Sequence, residues 1–157
     1  MLSRDILLVH THAFATLAMV GLIWTIQVVH YPLFASVGEQ EWPAYERSHM
    51  SRITFIVGPV MLVEAATAAA LVILAPPGVP RWMLIVGLLL AAAVWVSTAV
   101  WQGPMHVRLA ERFDTSLHRQ LVLGNWVRTI IWTARGVLAL AIVHAALSAR
   151  TQGGTIS

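Results

Sequence analysis

Three histidines sit six or seven residues inside the ends of long helical stretches, and their types and spacing suit them to chemistry. They are His30 in "IQVVHYPLF", His49 in "YERSHM" and His106 in "QGPMHV". Neutral imidazole is a common ligand of zinc, copper and iron, and three imidazoles from separate helices leave a coordination position open for water, oxygen or a substrate. Asn125 or His118 is placed to complete or orient such an ion, with Gln27 and Gln102 acting on its ligands from beneath. Haem is a variant of the same idea, in which two facing imidazoles ligate the iron and Arg47, Arg52 and Arg108 meet the propionates. No HxxxH or HExxH spacing accompanies these residues. The plainer alternative is a set of interfacial histidines touching headgroups or water.

To hold three such side chains in one layer takes rigid elements, and the composition says which kind. Of 157 residues, 58% are hydrophobic and only 11% charged, with a mean hydropathy of +0.74, far from the balance of a soluble domain. Apolar stretches at 6–29, 53–75, 82–101 and 129–147 are each near or above the length a membrane-crossing helix needs. The expectation is an all-α polytopic membrane protein, an antiparallel four-transmembrane-helix bundle forming one domain over 1–157, with helices at about 5–36, 43–74, 81–113 and 115–149. The first span is too long and too polar, with His10, His12 and Gln27, for a signal-peptide core, and is read as retained. Pro43 suits the first turn of the second helix and Asp114 the N-cap of the fourth. "PPGVP" at 76–80 splits the chain into two hairpins. These hairpins share a faint pattern, "W-x-x-Q-x-x-H-x-P" against "W-Q-x-P-x-H" and "HMSRIT" against "NWVRTI", which would make them pseudo-repeats.

Counting depth at about 1.5 Å per residue extends the polar stripe inward. Gln27 falls one turn beneath His30, Gln102 one turn beneath His106, and Thr98 a turn further. On the fourth helix Asn125, Arg128, Trp132 and Arg135 share a face. An unpaired charge at such depth costs several kcal/mol by most estimates, and Glu64 on the second helix has matching depth, so a buried Glu64–Arg135 pair is expected. That pair either fixes helix packing or handles protons. Pro32, Pro59 and Pro104 free the carbonyls of Val28, Phe55 and Val100, for which Arg128, Gln27 and Gln102 are available donors. Trp24, Trp95, Trp126 and Trp132 pack in the core or wall an aromatic ligand, and His10, His12 and His144 form a second small group at the opposite end.

The absence of cysteine excludes disulfides, thiolate zinc sites and thiol catalysis. All ten basic residues are Arg, and a charge of +3 spread over loops does not make the clustered basic face that nucleic acid requires. Arg47, Arg52, Arg108, Arg112 and Arg119 at one end outnumber Arg4, Arg81 and Arg150 at the other. The positive-inside rule then places both termini outside the cytoplasm, in a bacterial inner membrane. The bilayer, an apolar small molecule and further copies of the chain are the expected partners.

With "HYPLF", "EWPAYERSH", "QGPMHVRL" and "NWVRTIIWTAR" on the ends of a four-helix membrane bundle, the chain resembles the anthrone-oxygenase-like family of small integral membrane proteins. That family pairs a first-helix "HP" and a third-helix "P-x-N-x-x-L" with a "W…H-x-x-R" run in the fourth. Here Tyr31 separates His30 from Pro32, His106 stands where the Asn would follow Pro104, and Ile131 or Trp132 stands where the last His would precede Arg135. The resemblance implies a membrane oxidoreductase or oxygenase acting on an apolar or aromatic substrate. A looser similarity to small four-helix haem-binding membrane oxidases implies haem instead. Against a metal- or haem-dependent redox enzyme stand two alternatives: a small proton-linked transporter or assembly subunit using Arg128, Arg135 and Glu64, and a structural bundle with no catalysis.

Overall fold

A proline in a lipid-facing helix must have its lost hydrogen bond absorbed by the chain around it, and two of the three prolines beyond the first turn of a transmembrane helix, Pro32 and Pro104 but not Pro59, do so in the same way. In the computed structural model, which describes residues 4–153, helix α1 runs Arg4–Ser36 and α2 Trp42–Leu74. Helix α3 runs Arg81–Leu109 and α4 Thr115–Gly153. Ahead of Pro32, α1 widens into a π-helical turn at Ile26–His30, where the Tyr31 amide donates to the carbonyl of Ile26. Ahead of Pro104, α3 does likewise at Thr98–Gln102, and the Gly103 amide donates to the carbonyl of Thr98. Pro59, in contrast, lies within an unbroken α-helix. Residues 1–3 and 154–157 of the expected 1–157 domain lie outside the described residues.

The helix ends follow from local chemistry. Helix α2 stops at Ala75, which takes a left-handed conformation with φ of 42° and is followed by Pro76 and Pro77. The turn then closes through the Val79 amide onto the Pro76 carbonyl at 3.2 Å, with Gly78 supplying the φ of 80° that this geometry requires. Helix α4 begins on Asp114, whose carboxylate accepts from the Leu117 amide at 2.8 Å and the Ser116 hydroxyl at 2.7 Å. These two donors, chiefly Ser116, hold the Asp114 carboxyl below its ordinary value. Helix α3 ends at Leu109 and not near 113 as its composition suggests. The Trp42 indole takes the Leu109 carbonyl at 2.6 Å, and Phe113 turns back to pack edge-on against the Trp42 ring.

The helices run up, down, up and down, each beside its neighbours in sequence, with α1 closing against α4. Two glycines of α4 permit close approach. A Cβ at Gly136 would meet Val20 Cγ2 of α1 at 2.9 Å, and one at Gly124 would meet the Trp101 indole of α3 at 3.1 Å. Apolar side chains fill the interior in three levels. Val9, Leu71, Leu84 and Ile142 pack near the chain termini, Met19, Ile23, Met61 and Val94 in the middle, and Phe34, Trp42, Leu109 and Leu121 at the far end. Outward-facing positions are apolar too: Phe14, Phe55 and Ile73 are 77%, 83% and 79% exposed. Four helices long and apolar enough to cross a bilayer, with an apolar exterior, make an integral membrane protein of the all-α class.

Candidate functional site

Between the middle and far apolar levels, four helices converge polar side chains on one another. Helix α2 presents Glu46 and His49, three residues apart and therefore on one face. Helix α3 presents His106, two residues past Pro104, and α1 presents His30 and Tyr31 where its π turn gives way to α-helix. The Glu46 carboxylate lies 2.5 Å from His106 Nδ1, and the Tyr31 hydroxyl 2.8 Å from His106 Nε2. Glu46, Tyr31 and His106 are all buried. Beside this chain, His30 Nε2 lies 2.9 Å from His49 Nδ1, and the His49 and His106 rings are 5.4 Å apart between centroids. Helix α4 adds Arg128, which carries its guanidinium 5.2 Å from the centre of the Trp132 ring and interacts electrostatically with the Tyr31 phenol.

This layer forms the polar end of a cavity of about 270 Å³ between α2 and α3. Its walls are apolar, with Ile26, Met50, Ile53, Val57, Met61 and Trp95, and its polar lining is Tyr31, His49, Thr54, Thr98, Gln102, His106 and Arg128. Three polar atoms of the layer, Glu46 Oε2, His49 Nε2 and Arg128 Nε, are buried without a protein partner. Buried polar groups in native structures are satisfied as a rule, so these atoms are available to water or to a ligand.

The structure brings His30, His49 and His106 into one layer, but with their nitrogens turned to other groups. His30 and His49 face each other directly, and His106 has one nitrogen on Glu46 and the other on Tyr31. Among the described residues no group of three or more His, Asp or Glu side chains is arranged to hold a metal ion. His118 and Asn125 do not join the layer. His118 Nε2 lies 2.8 Å from the Tyr31 carbonyl, and the Asn125 amide donates to Gln27 Oε1 at 2.8 Å. Gln27 in turn donates to the Val122 carbonyl and Gln102 to that of Gly124, at 3.1 and 3.4 Å, so both glutamines tie their helices to α4 and bind no histidine. Thr98 donates to the carbonyl of Val94, one turn back, though it also lines the cavity. Trp24 and Trp126 pack edge to face at 5.7 Å on the outer surface, away from the cavity, with the Trp24 indole donating to Thr133. Of the tryptophans within spans, Trp95 lines the cavity instead. Glu46 and Tyr31 are the members that sequence reasoning passed over. The three-residue step from Glu46 to His49 was a usable signal, whereas the reach of Tyr31 depends on a π turn that no local motif announces.

Deeper in the bundle, Glu64 and Arg135 form an ion pair, with Arg135 Nε and Nη2 at 3.0 and 2.9 Å from Glu64 Oε1. The Trp132 indole donates to Glu64 Oε2 at 3.1 Å, and Arg135 also donates to the Gly87 carbonyl of α3. Both charged side chains are almost wholly buried, at 2% exposure each. Nearby, His12 Nδ1 meets the Thr67 hydroxyl at 3.0 Å. His10 turns onto its own helix at the Ile6 carbonyl, and with His144 it is exposed, so among the described residues no second histidine site assembles at this end.

Comparison of the chain with family models, with curated proteins and with solved structures found no match.

Proposed function

We propose that this protein is a membrane-embedded acid–base site for an apolar or aromatic small molecule carrying an ionisable oxygen, of the phenol, enol or quinol class. The observation that carries this reading is the chain from Glu46 through His106 to Tyr31, ending on an apolar cavity beside Arg128. With Glu46 ionised, His106 donates from Nδ1 to the carboxylate and accepts at Nε2 from the Tyr31 hydroxyl. A proton leaving the substrate oxygen passes to the Tyr31 oxygen as the tyrosine's own proton moves to His106 Nε2. Glu46 then faces an imidazolium whose charge it offsets, the part played by the carboxylate of a hydrolase triad. Arg128 is the cation for the substrate oxyanion so formed, in a pocket where little water weakens the attraction. Since the cavity lies between α2 and α3, an apolar substrate reaches it sideways from the bilayer. The resemblance to the anthrone-oxygenase-like family suits this substrate class, because the deprotonated form of a polycyclic phenol or enol is the one that oxidants attack.

A naphthol tests the reading with detergent-purified protein. The expected result is saturable binding, with the absorption spectrum of bound naphtholate at a pH where free naphthol is neutral. Tyr31→Phe and His106→Gln should keep binding but lose the naphtholate spectrum, and Arg128→Gln should weaken both. Absence of saturable binding, or a naphtholate spectrum indifferent to all three changes, would sink the proposal.

The unpartnered Glu46 Oε2 and His49 Nε2 favour a second reading, in which a transition metal (iron, copper or zinc) or haem is bound here. The present arrangement does not fit such a group: His30 and His49 would have to part, and His106 would have to leave Tyr31. Metal content and the visible spectrum of the purified protein discriminate the two, since the acid–base site needs neither bound metal nor a Soret band.

A further inference from the structure

On the outer side of the His30–His49 contact lies a second cavity, of about 360 Å³, which the acid–base reading does not use. Helix α1 contributes His30 to it and α2 contributes Tyr45, Ser48 and Arg52, over a floor of Ile53 and Ile56. Its polar and apolar halves are separated along the helix. Arg52 stands ten residues into α2, roughly 15 Å along the helix from its start and directly before the apolar stretch at 53–75, and Ile56 is one turn further in and 55% exposed. The neighbouring outward residue, Phe55, is 83% exposed, so the cavity opens on the lipid-facing surface.

Among the described residues Arg52 has no counter-charge. It takes no part in the ion pairs Arg4–Asp5, His106–Glu46 and Arg135–Glu64. Its Nε donates to the Ser48 hydroxyl at 3.2 Å, which draws the guanidinium toward the aqueous end of the helix, and its two terminal nitrogens have no acceptor among the described residues. Ser48 Oγ accepts that bond and keeps its own O–H to donate. A guanidinium at the edge of an apolar stretch, on a lipid-facing surface, is at headgroup level and needs an anion or water. The anion that is present there, with apolar chains attached, is a lipid phosphate.

We propose that this cavity is a binding site for an anionic phospholipid. The phosphate oxygens accept from the terminal nitrogens of Arg52 and from the Ser48 hydroxyl, and one acyl chain runs over Ile53 and Ile56. The guanidinium fork suits a phosphate in two-point geometry. With one uncompensated positive charge, the site favours a lipid of net negative charge over a zwitterionic one.

Native mass spectrometry of the detergent-purified protein tests this with phosphatidylglycerol, phosphatidylcholine and soluble glycerol phosphate. Phosphatidylglycerol should be retained several-fold better than phosphatidylcholine, and glycerol phosphate should not be retained, because it lacks the chains. Arg52→Gln should weaken phosphatidylglycerol binding by about tenfold, the scale of one charge-assisted contact, and Ser48→Ala by less. Arg112→Gln, in the loop before α4, should leave it unchanged. The proposal is overturned if Arg52→Gln binds phosphatidylglycerol as tightly as the unaltered protein, if Arg112→Gln weakens it equally, if phosphatidylcholine binds as well, or if glycerol phosphate alone is retained. Because Arg52 lies outside the naphthol cavity, its substitution should leave naphthol binding intact, which separates a failure here from a failure of the acid–base reading.

Discussion

Replacing Arg135 with methionine should destabilise the bundle by about 3–5 kcal/mol, the cost of removing one partner from a buried ion pair. The change removes both nitrogens from Glu64 Oε1, at 3.0 and 2.9 Å, and the donor to the Gly87 carbonyl. What remains for the Glu64 carboxylate is the single Trp132 indole at 3.1 Å. Two unit charges about 4 Å apart at an effective dielectric of 20 attract by about 4 kcal/mol, so the Coulomb figure and the mutational one agree in scale. Glu64→Leu should cost a similar amount, because it strands Arg135 with only a carbonyl. The double variant Glu64→Leu with Arg135→Met leaves no stranded charge. It leaves the Trp132 N–H short of a partner, at about 1–3 kcal/mol, while the Gly87 carbonyl lies mid-helix and keeps its intrahelical amide. The cycle should therefore close with a coupling of at least about 2 kcal/mol. Reversible unfolding in mixed micelles, followed by helical circular dichroism, measures all four proteins. If the single substitutions cost under about 1 kcal/mol, or if their costs simply add, the pair is not the electrostatic unit described. A transporter in which Glu64 titrates would lose transport on Glu64→Gln while His30→Ala spared it, a separation that neither the acid–base site nor a purely structural bundle predicts.

At the α1–α4 crossing, Gly136→Leu should cost roughly 1–3 kcal/mol of overpacking, since even a Cβ there meets Val20 at 2.9 Å; an unchanged unfolding midpoint would mean that the helices do not approach this closely. Asp114 should stabilise α4 in a pH-dependent way. Its folded-state value is depressed by Ser116 and the Leu117 amide, so its contribution is present above the ordinary carboxylate range and is lost as pH falls through the folded value. The midpoint difference between the unaltered protein and Asp114→Ala should accordingly be larger near neutral pH than near about pH 3, and a pH-independent difference would refute the cap.

The architecture was legible because a bilayer demands long apolar helices and this chain has almost nothing else. Depth was a guide as well, since a π turn alters rotation far more than level: Glu64 and Arg135 meet, and His30, His49 and His106 share a layer. It failed where direction matters more than depth. Asn125 and His118 lie near the right level, yet they bond to Gln27 and to the Tyr31 backbone, because rotation about the helix axis decides which neighbour a side chain meets. The end of α3 was misjudged for a different reason. Residues 110–113 contain no breaker, and the stop comes from a distant indole, Trp42, taking the Leu109 carbonyl. Tyr31 was hidden in a similar way, since an ordinary helix would have turned it elsewhere.

The π turns before Pro32 and Pro104 have a consequence for how this bundle can change. A π turn is an α-helix with one residue inserted, and one residue is about 100° of rotation. Each therefore splices two helical segments out of phase. Within five positions of α1, Gln27 reaches α4, His30 reaches α2 and Tyr31 reaches α3. Deleting Val28 would close the wide turn into an ordinary α turn and leave Tyr31 and Phe34 facing His106 and His49, whereas straightening the turn with all its residues kept would rotate them away by about 100°. The half of the bundle that holds Glu64 and Arg135 and the half that holds the polar layer are thus joined in α1 and α3 by wide turns, whose width sets how one half is rotated against the other.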